Sequence, residues 1–366
     1  MLVVGLFVLT AGAELLVRSA SRLATSAGIS PLVVGLTVVA FGTSAPELVV
    51  SVQSAALGKP DVALGNVLGS NIFNVLFILG VSALIVPLRV SLQLVRIEVP
   101  LMIAVSCLTG IFALDGRIGR FDGIVLLTGL LLYTCFSIVM SRRQEAAIRS
   151  SQRSDISGTD FDQDPVGRRV SQRWISDTIL LLVGLVLLVL GARLFIDSAI
   201  NIARYLGASE LIIGLTIVAA GTSLPEVATS ILAAIRGERD IAVGNVVGSN
   251  LFNIMGVLGA SGCIATQGIP VSETALWLDM PVMIVVAIAC LPIFYTGHTI
   301  ARWEGGLFLA YYLLYTSYLV VSVMIPQWSR SFKITMLFMV IPLTVITLLI
   351  EVIRHRRAAK EHMPDE

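Results

Sequence analysis

The residues of this chain that could do chemistry lie in two short polar stretches within long apolar runs. Residues 42–47 read GTSAPE and residues 221–226 read GTSLPE. In both stretches a glutamate follows a proline, which cannot donate a main-chain hydrogen bond to the carbonyl four residues earlier. A carboxylate and freed carbonyl oxygens therefore lie together. Hard cations such as Na⁺ and Ca²⁺ prefer such oxygen ligands, whereas softer metals prefer histidine or cysteine.

Other oxygen-bearing side chains recur around the two glutamates at spacings of three or four residues, which places them on common helix faces. The first set is Thr43, Ser44, Ser51, Asn66, Ser70 and Asn74, and the second is Thr222, Ser223, Ser230, Asn245, Ser249 and Asn253. The two sets contain the same residue types, so the sequence predicts an all-oxygen site built from two equivalent halves.

The charge of Glu47 and Glu226 requires compensation if their helices span a membrane. An ionised glutamate at the bilayer centre costs about 2.5–3.5 kcal/mol. No Lys, Arg or His lies near the glutamates in these helices, since Arg236 is ten residues beyond Glu226. A buried ion pair, a protonated glutamate and a plain proline kink are alternatives. The repeated arrangement favours a mobile cation as the counter-charge.

The composition is that of a membrane protein. Hydrophobic residues make up 56% of the 366 residues, charged residues 13%, and mean hydropathy is +0.91, whereas soluble domains are about 45–50% apolar and about 25% charged. This composition excludes a soluble enzyme and, with a net charge of only +1, a nucleic-acid binder. The four cysteines lack CxxC spacing, so we expect no disulfide framework, zinc site or other cofactor.

Eleven segments are apolar enough to cross a hydrocarbon core, which needs about 20 helical residues. They are residues 1–23, 31–57, 62–87, 94–114, 121–141, 175–200, 210–235, 241–265, 275–296, 303–325 and 333–353. The polar segment 142–174, rich in arginine with acids mixed in, is predicted to be a flexible cytoplasmic linker. The sequence therefore predicts an all-α polytopic membrane protein with about eleven transmembrane helices.

An internal repeat organises these helices. Residues 35–80 and 214–259 align without gaps at an offset of 179, and 25 of the 46 positions are identical. Residues 1–141 and 175–325 are therefore predicted to be two copies of a five-helix unit, and residues 326–366 an extra helix with a basic tail. Because five is odd, the second copy enters the membrane from the opposite side, which is an inverted repeat typical of secondary transporters.

The distribution of basic residues predicts the orientation. With the linker in the cytoplasm, 18 of the 25 Lys and Arg residues lie on the inner side and six on the outer side, and Arg193 lies within a helix. The positive-inside rule favours this arrangement. The N-terminus is then outside and the C-terminus cytoplasmic, in a cell-membrane protein that contacts lipid and shows no obligatory protein partner. Four acids near helix ends are interpreted as interfacial, namely Glu14, Glu98, Asp197 and Asp279.

Both polar stretches resemble the signature of the sodium/calcium exchanger family. Residues 65–74 (GNVLGSNIFN) and 244–253 (GNVVGSNLFN) extend the resemblance. Together the four motifs look like the two α-repeats of the cation/Ca²⁺ exchanger superfamily, of the prokaryotic type. The resemblance covers 92 residues closely and the ten-helix plan loosely, and the extra C-terminal helix departs from that plan.

The resemblance implies a set of ion ligands. It implies Ca²⁺ held between Glu47 and Glu226, with the carbonyl oxygens of Thr43 and Thr222 as further ligands. It also implies Na⁺ sites that share both glutamates and add hydroxyl groups, with two asparagines lining the central site. These additional residues are Ser44, Ser70, Ser223 and Ser249 for Na⁺, and Asn74 and Asn253 for the centre.

The same resemblance bears on the driving ion. Proton-coupled relatives carry Gly-Asn-x-x-Glu where this chain has residues 42–47, which favours Na⁺ over H⁺. Potassium-dependent relatives carry aspartate where this chain has Asn253, which argues against K⁺ cotransport. We therefore expect a secondary transporter that exchanges Na⁺ for Ca²⁺ by alternating access, and electrogenically if three Na⁺ move per Ca²⁺ as in the family.

Other functions remain open at this stage. A proton/cation antiporter, an exchanger of another divalent cation and a channel are alternatives, although an inverted repeat within one chain favours a transporter over a channel. An intramembrane hydrolase is disfavoured, because no His or Asp lies near the buried serines to activate one.

Overall fold

The computed structural model describes residues 1–155, 166–206, 219–295 and 297–324, which are almost entirely helical. The helices are α1 Leu2–Ala27, α2 Pro31–Thr43, α3 Ala45–Ala56, α4 Asp61–Ile85, α5 Leu94–Asp115, α6 Arg120–Asp155, α7 Val166–Tyr205, α8 Leu224–Ile235, α9 Arg239–Ile264, α10 Ala275–Tyr295 and α11 Arg302–Met324. A single helical turn, Ala219–Gly221, precedes α8.

The described residues account for nine membrane spans and half of a tenth. Eight helices are long and apolar enough to cross a membrane, and the bent pair α2–α3 makes a ninth. Helix α8 forms the second half of the predicted segment 210–235, and residues 207–218 lie outside the described residues. The predicted eleventh segment, 333–353, lies outside them as well. The prediction of an all-α polytopic fold is confirmed for the spans that the structure describes.

The segment between the two copies differs from the prediction of a flexible linker. Helix α6 continues to Asp155 and α7 begins at Val166, so most of residues 142–174 extend the two flanking helices. Residues 142–149 read RRQEAAIR and contain no Gly or Pro. Most of these residue types are strong helix formers, which explains why the polar segment continues the helix. Residues 156–165 lie outside the described residues.

Two equivalent helices, α4 and α9, form the centre of the bundle. In α9 every residue of the most apolar stretch is buried, and in α4 72% of the residues of that stretch are buried. In the other six long spans the buried share of this stretch is only 17–39%. Both central helices widen into a π-helical segment at equivalent asparagines, Asn74–Leu79 and Asn253–Leu258. Such π-helical turns are frequent at functional sites, and here they begin at two of the predicted site residues.

A break in the backbone, rather than a kink, marks the proline motifs. Helices α2 and α3 meet at 47°, with Ser44 at the junction (φ −84°, ψ 8°). Pro46 lies in the first turn of α3, where a missing N–H removes no helical hydrogen bond. Ser223 (φ −89°, ψ 8°), immediately before α8, and Pro225, in the first turn of α8, repeat this geometry. Both glutamates therefore lie in the first turn of a helix, where the helix dipole favours negative charge.

Two short antiparallel ribbons join the copies to each other. Strand β1 Leu88–Arg89 pairs with β4 Thr299–Ile300, and β2 Arg117–Ile118 pairs with β3 Ile269–Pro270. Each ribbon takes one strand from each copy, and β1 and β3 occupy equivalent positions in the repeat, as do β2 and β4. A twofold axis relating the copies exchanges one ribbon with the other, as an inverted repeat requires.

Glu98, one of the acids interpreted from the sequence as interfacial, is enclosed by the protein. Its side chain is completely buried, with Oε2 accepting a hydrogen bond of 2.6 Å from the hydroxyl of Tyr133 and Oε1 accepting one of 3.0 Å from Gln93 Nε2. Asp279, its equivalent in the second copy, accepts a 2.7 Å hydrogen bond from the hydroxyl of Tyr315. Tyrosines of neighbouring helices, Tyr133 on α6 and Tyr315 on α11, thus hydrogen-bond the two equivalent carboxylates, which lowers the cost of burying them.

The first helix of each copy, α1 and α7, pack against each other through glycines. A Cβ atom on Gly12 would lie 2.5 Å from the main-chain nitrogen of Leu188, and one on Gly184 would lie 2.7 Å from that of Leu16. Both distances are too short for real atoms, so the two backbones approach this closely only because glycine lacks a side chain. Close backbone approach matters in a membrane, where lipid tails are as apolar as the helices and packing drives association.

We expect Gly12→Ala to lower the melting temperature of the detergent-purified protein. The methyl group forces α1 and α7 apart, and overpacking of this kind costs about 1–3 kcal/mol. Gly306→Ala is the matched control, because its Cβ would meet only Leu84 Cδ2 at 3.8 Å. Thermal unfolding followed by tryptophan fluorescence measures both variants, and equal melting temperatures would contradict the close packing of α1 on α7.

Candidate ion-binding site

The two predicted glutamates lie at the centre of the bundle, and each accepts a hydrogen bond from a serine of the other copy. Glu47 and Glu226 are each 1% exposed. Ser223 Oγ donates a 2.9 Å hydrogen bond to Glu47 Oε1, and Ser44 Oγ donates one of 2.9 Å to Glu226 Oε1. Each serine at a helix break therefore donates a hydrogen bond to the glutamate of the other copy. These two hydrogen bonds hold the two helix breaks next to each other.

The helices that meet at the glutamates carry several buried oxygen atoms without a hydrogen-bond partner among the described residues. Six belong to predicted site residues, namely Glu47 Oε2, Glu226 Oε2, Asn74 Oδ1, Asn253 Oδ1, Thr222 Oγ1 and Ser249 Oγ, and three others on the same helices are Ser82 Oγ, Thr229 Oγ1 and Ser261 Oγ. Leaving one buried polar group unsatisfied costs about 1–3 kcal/mol. Because six of these atoms belong to residues predicted as ion ligands, a large part of this cost falls on residues that a bound cation would contact.

Neither glutamate has a basic partner in the described part of the chain. The ion pairs there link Glu14 to Arg18 and to Arg236, the latter at 2.7 Å, and Arg22 to Asp177 at 3.7 Å. The described residues also contain no group of three or more His, Cys, Asp or Glu placed to hold a metal. A cation here would be held by two carboxylates together with neutral amide and hydroxyl oxygens, which suits hard ions.

Of two further hydroxyl groups, that of Ser70 lies close to the glutamates and that of Thr43 bonds to a central helix. Ser70 Oγ lies 3.2 Å from Ser223 Oγ, next to Glu47. Thr43 Oγ1 instead donates a 3.1 Å hydrogen bond to Asn245 Oδ1, so its side chain helps to join the two copies. The ten predicted site residues therefore lie at the helix breaks, in the first turns of α3 and α8 and on the central helices. The hydroxyl of Thr43 bonds to the other copy, whereas the ligand predicted for this residue is its main-chain carbonyl.

Two asparagines hydrogen-bond the short helices that carry the glutamates to the central helices. Asn66 Nδ2 donates a 2.9 Å hydrogen bond to Ser51 Oγ, which links α4 to α3. Asn245 Nδ2 donates one of 2.9 Å to Ser230 Oγ, which links α9 to α8. The glutamate on each short helix is therefore held against the central helix of its own copy.

Sequence reasoning did not assign a role to Asn71 and Asn250. Asn74 Nδ2 donates a 3.0 Å hydrogen bond to Asn250 Oδ1, and Asn253 Nδ2 donates one of 3.2 Å to Asn71 Oδ1. Both residues lie within the repeated GSN motif. Their identity in the two copies was the signal that could have identified them as part of the site.

Comparisons with known proteins agree with this architecture. The sequence profile of a family described as sodium/calcium exchanger protein matches residues 1–139 and 176–321. The chain is 40% identical over 289 residues to the inner membrane protein YrbG of Escherichia coli, covering 79% of this chain and 86% of YrbG. It is 31% identical over 337 residues to the sodium/calcium exchanger MaX1 of Methanosarcina acetivorans, covering 86% of this chain and 96% of MaX1.

A solved structure shares the fold. The sodium-calcium exchanger NCX_Mj, soaked with zero Na⁺ and Ca²⁺, superimposes with a TM-score of 0.72 and 30% sequence identity, covering 87% of this chain and 97% of that chain. The two segments that the family matches cover most of the two predicted copies and omit the residues between them. This protein is a multi-pass membrane transporter rather than an enzyme, and it belongs to the sodium/calcium exchanger family.

Proposed function

We propose that this protein exchanges Na⁺ for Ca²⁺ across the membrane by alternating access. The family supports cation/Ca²⁺ exchange, and the names of MaX1 and NCX_Mj point to Na⁺ as the counter-ion. The observation that carries the proposal is the pair of buried glutamates, Glu47 and Glu226, each with one unpartnered oxygen. With no basic partner among the described residues, their charge requires a transported cation.

In the proposed Ca²⁺ complex the ion lies between the two glutamates. Their charges sum to −2 when both are ionised, which a single Ca²⁺ neutralises. The unpartnered amide oxygens of Asn74 and Asn253 complete the oxygen shell, together with the main-chain carbonyls of Thr43 and Thr222. Ca²⁺ accepts six to eight oxygen ligands in flexible geometry, which suits a mixed set of carboxylate, amide and carbonyl oxygens.

In the proposed Na⁺ complex the same glutamates are shared among several ions. The hydroxyl groups of the predicted Na⁺ sites are already next to them, since Ser44 and Ser223 each donate to a glutamate. The other two predicted hydroxyls are those of Ser70, beside Ser223, and Ser249, whose oxygen is unpartnered. Because Na⁺ and Ca²⁺ use the same carboxylates, the two loads compete.

Charge explains why the two ion movements are coupled. An empty site carries two uncompensated negative charges, which are costly to move past apolar surfaces. Ca²⁺ reduces the charge to zero and three Na⁺ bring it to +1. Either load lowers the barrier to switching between the two sides, whereas the empty site does not switch, so one load must replace the other.

The proposal includes the orientation of the chain. The excess of basic residues on one side favours a cell-membrane protein with the N-terminus outside and residues 142–174 and the C-terminus in the cytoplasm. Lipid is the surrounding medium. The proton-coupled alternative, in which the glutamates titrate instead of binding Na⁺, is separated from this proposal by experiment.

Uptake of radioactive Ca²⁺ into proteoliposomes tests the proposed function. Purified protein is reconstituted into vesicles loaded with Na⁺, Li⁺, K⁺ or acid, and Ca²⁺ is added outside. We expect uptake only from vesicles loaded with Na⁺. Uptake driven by internal acid in the absence of Na⁺ would instead favour a proton/cation antiporter.

Replacing either glutamate with glutamine should abolish exchange. Glu47→Gln and Glu226→Gln each remove one of two charges that bind the ion, and loss of one buried charged partner costs about 3–5 kcal/mol, or more than about 100-fold in affinity. Glu98→Gln is the matched control, because Glu98 is a buried glutamate whose oxygens both have partners. Vesicle uptake by inserted protein is measured, and normal exchange by either site variant would contradict the ligand assignment.

Exchange should not require K⁺. Asn253 is a neutral amide, which lacks the charge expected of a K⁺ site in potassium-dependent relatives. We expect equal rates of Na⁺-driven Ca²⁺ uptake in choline and K⁺ media. Asn253→Asp serves as the comparison, and strict dependence of the wild type on K⁺ would refute this assignment.

Exchange should respond to membrane potential. With three Na⁺ leaving per Ca²⁺ entering, one net positive charge leaves per cycle, so an inside-positive potential should speed Ca²⁺ uptake. The driving force changes by about 2.3 kcal/mol per 100 mV. The membrane potential is set with a K⁺ gradient and an ionophore. A rate of Ca²⁺ uptake that does not change with voltage would instead indicate two Na⁺ per Ca²⁺.

Added external Na⁺ should also raise the apparent KM for Ca²⁺, because in the proposed complexes both ions use the same two glutamates.

A further inference from the structure

Four buried asparagines, two from each copy, form a closed hydrogen-bond network where α4 and α9 meet. Asn74 donates to Asn250 and Asn253 donates to Asn71, at 3.0 and 3.2 Å. Asn71 and Asn250 are in turn bonded to each other's main chain, Asn250 Nδ2 to the Asn71 carbonyl at 3.4 Å and Asn71 Nδ2 to the Asn250 carbonyl at 3.5 Å. All four side chains are at most 3% exposed.

This network determines which way each amide faces. A main-chain carbonyl can only accept, so the side-chain atom of Asn250 that faces the Asn71 carbonyl must be its NH₂ group. Its Oδ1 then faces Asn74 and can only accept, so Asn74 must present its own NH₂ group to it. The Oδ1 atom of Asn74 is left pointing away from the network, buried and without a partner among the described residues. The same reasoning applies to Asn253 through Asn71.

Two methionines strengthen this orientation. Asn250 Nδ2 lies 3.5 Å from Met102 Sδ, and Asn71 Nδ2 lies 3.6 Å from Met283 Sδ. A thioether sulfur accepts but does not donate. A rotated Asn250 would place its Oδ1 against both a carbonyl oxygen and a sulfur, so the rotation would lose two contacts and gain none.

The geometry points to Asn71 and Asn250 as positioning residues that aim the amide oxygens of Asn253 and Asn74 at the transported cation. Neither residue is proposed to touch the ion. An asparagine free to rotate would face an empty site with its NH₂ group part of the time and would have to turn when a cation binds, whereas the network fixes the oxygen towards the site before the ion arrives. Each copy thereby orients a ligand carried by the other. This inference rests on the proposed function, since it takes Asn74 and Asn253 as cation ligands.

A double-mutant cycle on Ca²⁺ affinity tests the inference. Isothermal titration of detergent-purified full-length protein with Ca²⁺ in Na⁺-free buffer compares Asn74→Ala, Asn250→Leu and the double variant. We expect Asn250→Leu alone to weaken binding by about 10–100-fold, the range for residues that orient metal ligands. In the Asn74→Ala background the same change should alter affinity by about twofold or less, because the residue that Asn250 orients is gone.

The matched control pairs Asn74→Ala with Asn71→Leu. Asn71 orients Asn253 rather than Asn74, and its main-chain carbonyl is unchanged by the substitution, so the two losses should multiply. A merely structural role for Asn250 would instead make its loss multiply with that of Asn74 as well. If Asn250→Leu does not yield folded protein, the mirrored cycle of Asn253→Ala with Asn71→Leu provides the same test.

The outcomes separate this inference from the proposed function. Normal Ca²⁺ affinity in Asn74→Ala would remove Asn74 from the ion site and overturn the positioning role, whereas the proposed exchange is tested separately by Na⁺-driven Ca²⁺ uptake of the wild-type protein. Weakened affinity in Asn74→Ala, with Asn250→Leu either without effect or multiplying in the double variant, would overturn the positioning role alone. Coupled losses for Asn74 with Asn250, and multiplying losses for Asn74 with Asn71, would support it.

Discussion

The structure depends on the placement of two carboxylates, one from each copy, in a bundle core that offers them no basic partner among the described residues. Burial of Glu47 and Glu226 is costly, and the surrounding helices reduce that cost only in part. One oxygen of each glutamate accepts a hydrogen bond from a serine of the opposite copy. The other oxygen is left without a partner. The fold thus holds the charges in position without neutralising them, which is the condition for binding a cation that must later leave.

Several irregular parts of the backbone contain the residues of the candidate site. The helix breaks at Ser44 and Ser223 put each glutamate in the first turn of a short helix. The π-helical segments begin at Asn74 and Asn253 and change the helix geometry where the amide ligands lie. The peripheral helices α5 and α10 also begin with π-helical segments, Leu94–Glu98 and Ala275–Asp279, but the helix breaks and the π-helical segments of the central helices coincide with predicted site residues. Irregular backbone at membrane depth is tolerated only where it is buried in protein or lines a cavity.

The repeat made both the fold class and the candidate site predictable from the sequence. The polar motifs stand out against apolar surroundings, and their duplication identified the same residue types twice. Contacts between the copies were not predictable, because Ser44 and Glu226 are 182 positions apart and spacing along one helix contains no information about its partner. The same limit explains Glu98, whose burial depends on Tyr133 of another helix. A plain proline kink remained an open alternative to a helix break, because proline is compatible with both the interior and the first turn of a helix.

The two ribbons have a consequence for the origin and integrity of the molecule. Since each ribbon takes one strand from each copy, and each serine at a helix break serves the glutamate of the other copy, neither half contains a complete set of its own contacts. A chain of half this length could assemble the same arrangement only as a pair of identical molecules inserted in opposite directions. Joining the halves in one polypeptide replaces that encounter with an intramolecular one, which raises the effective concentration of each half for the other. It also guarantees one upright and one inverted half per molecule, a ratio that independent insertion would leave to chance.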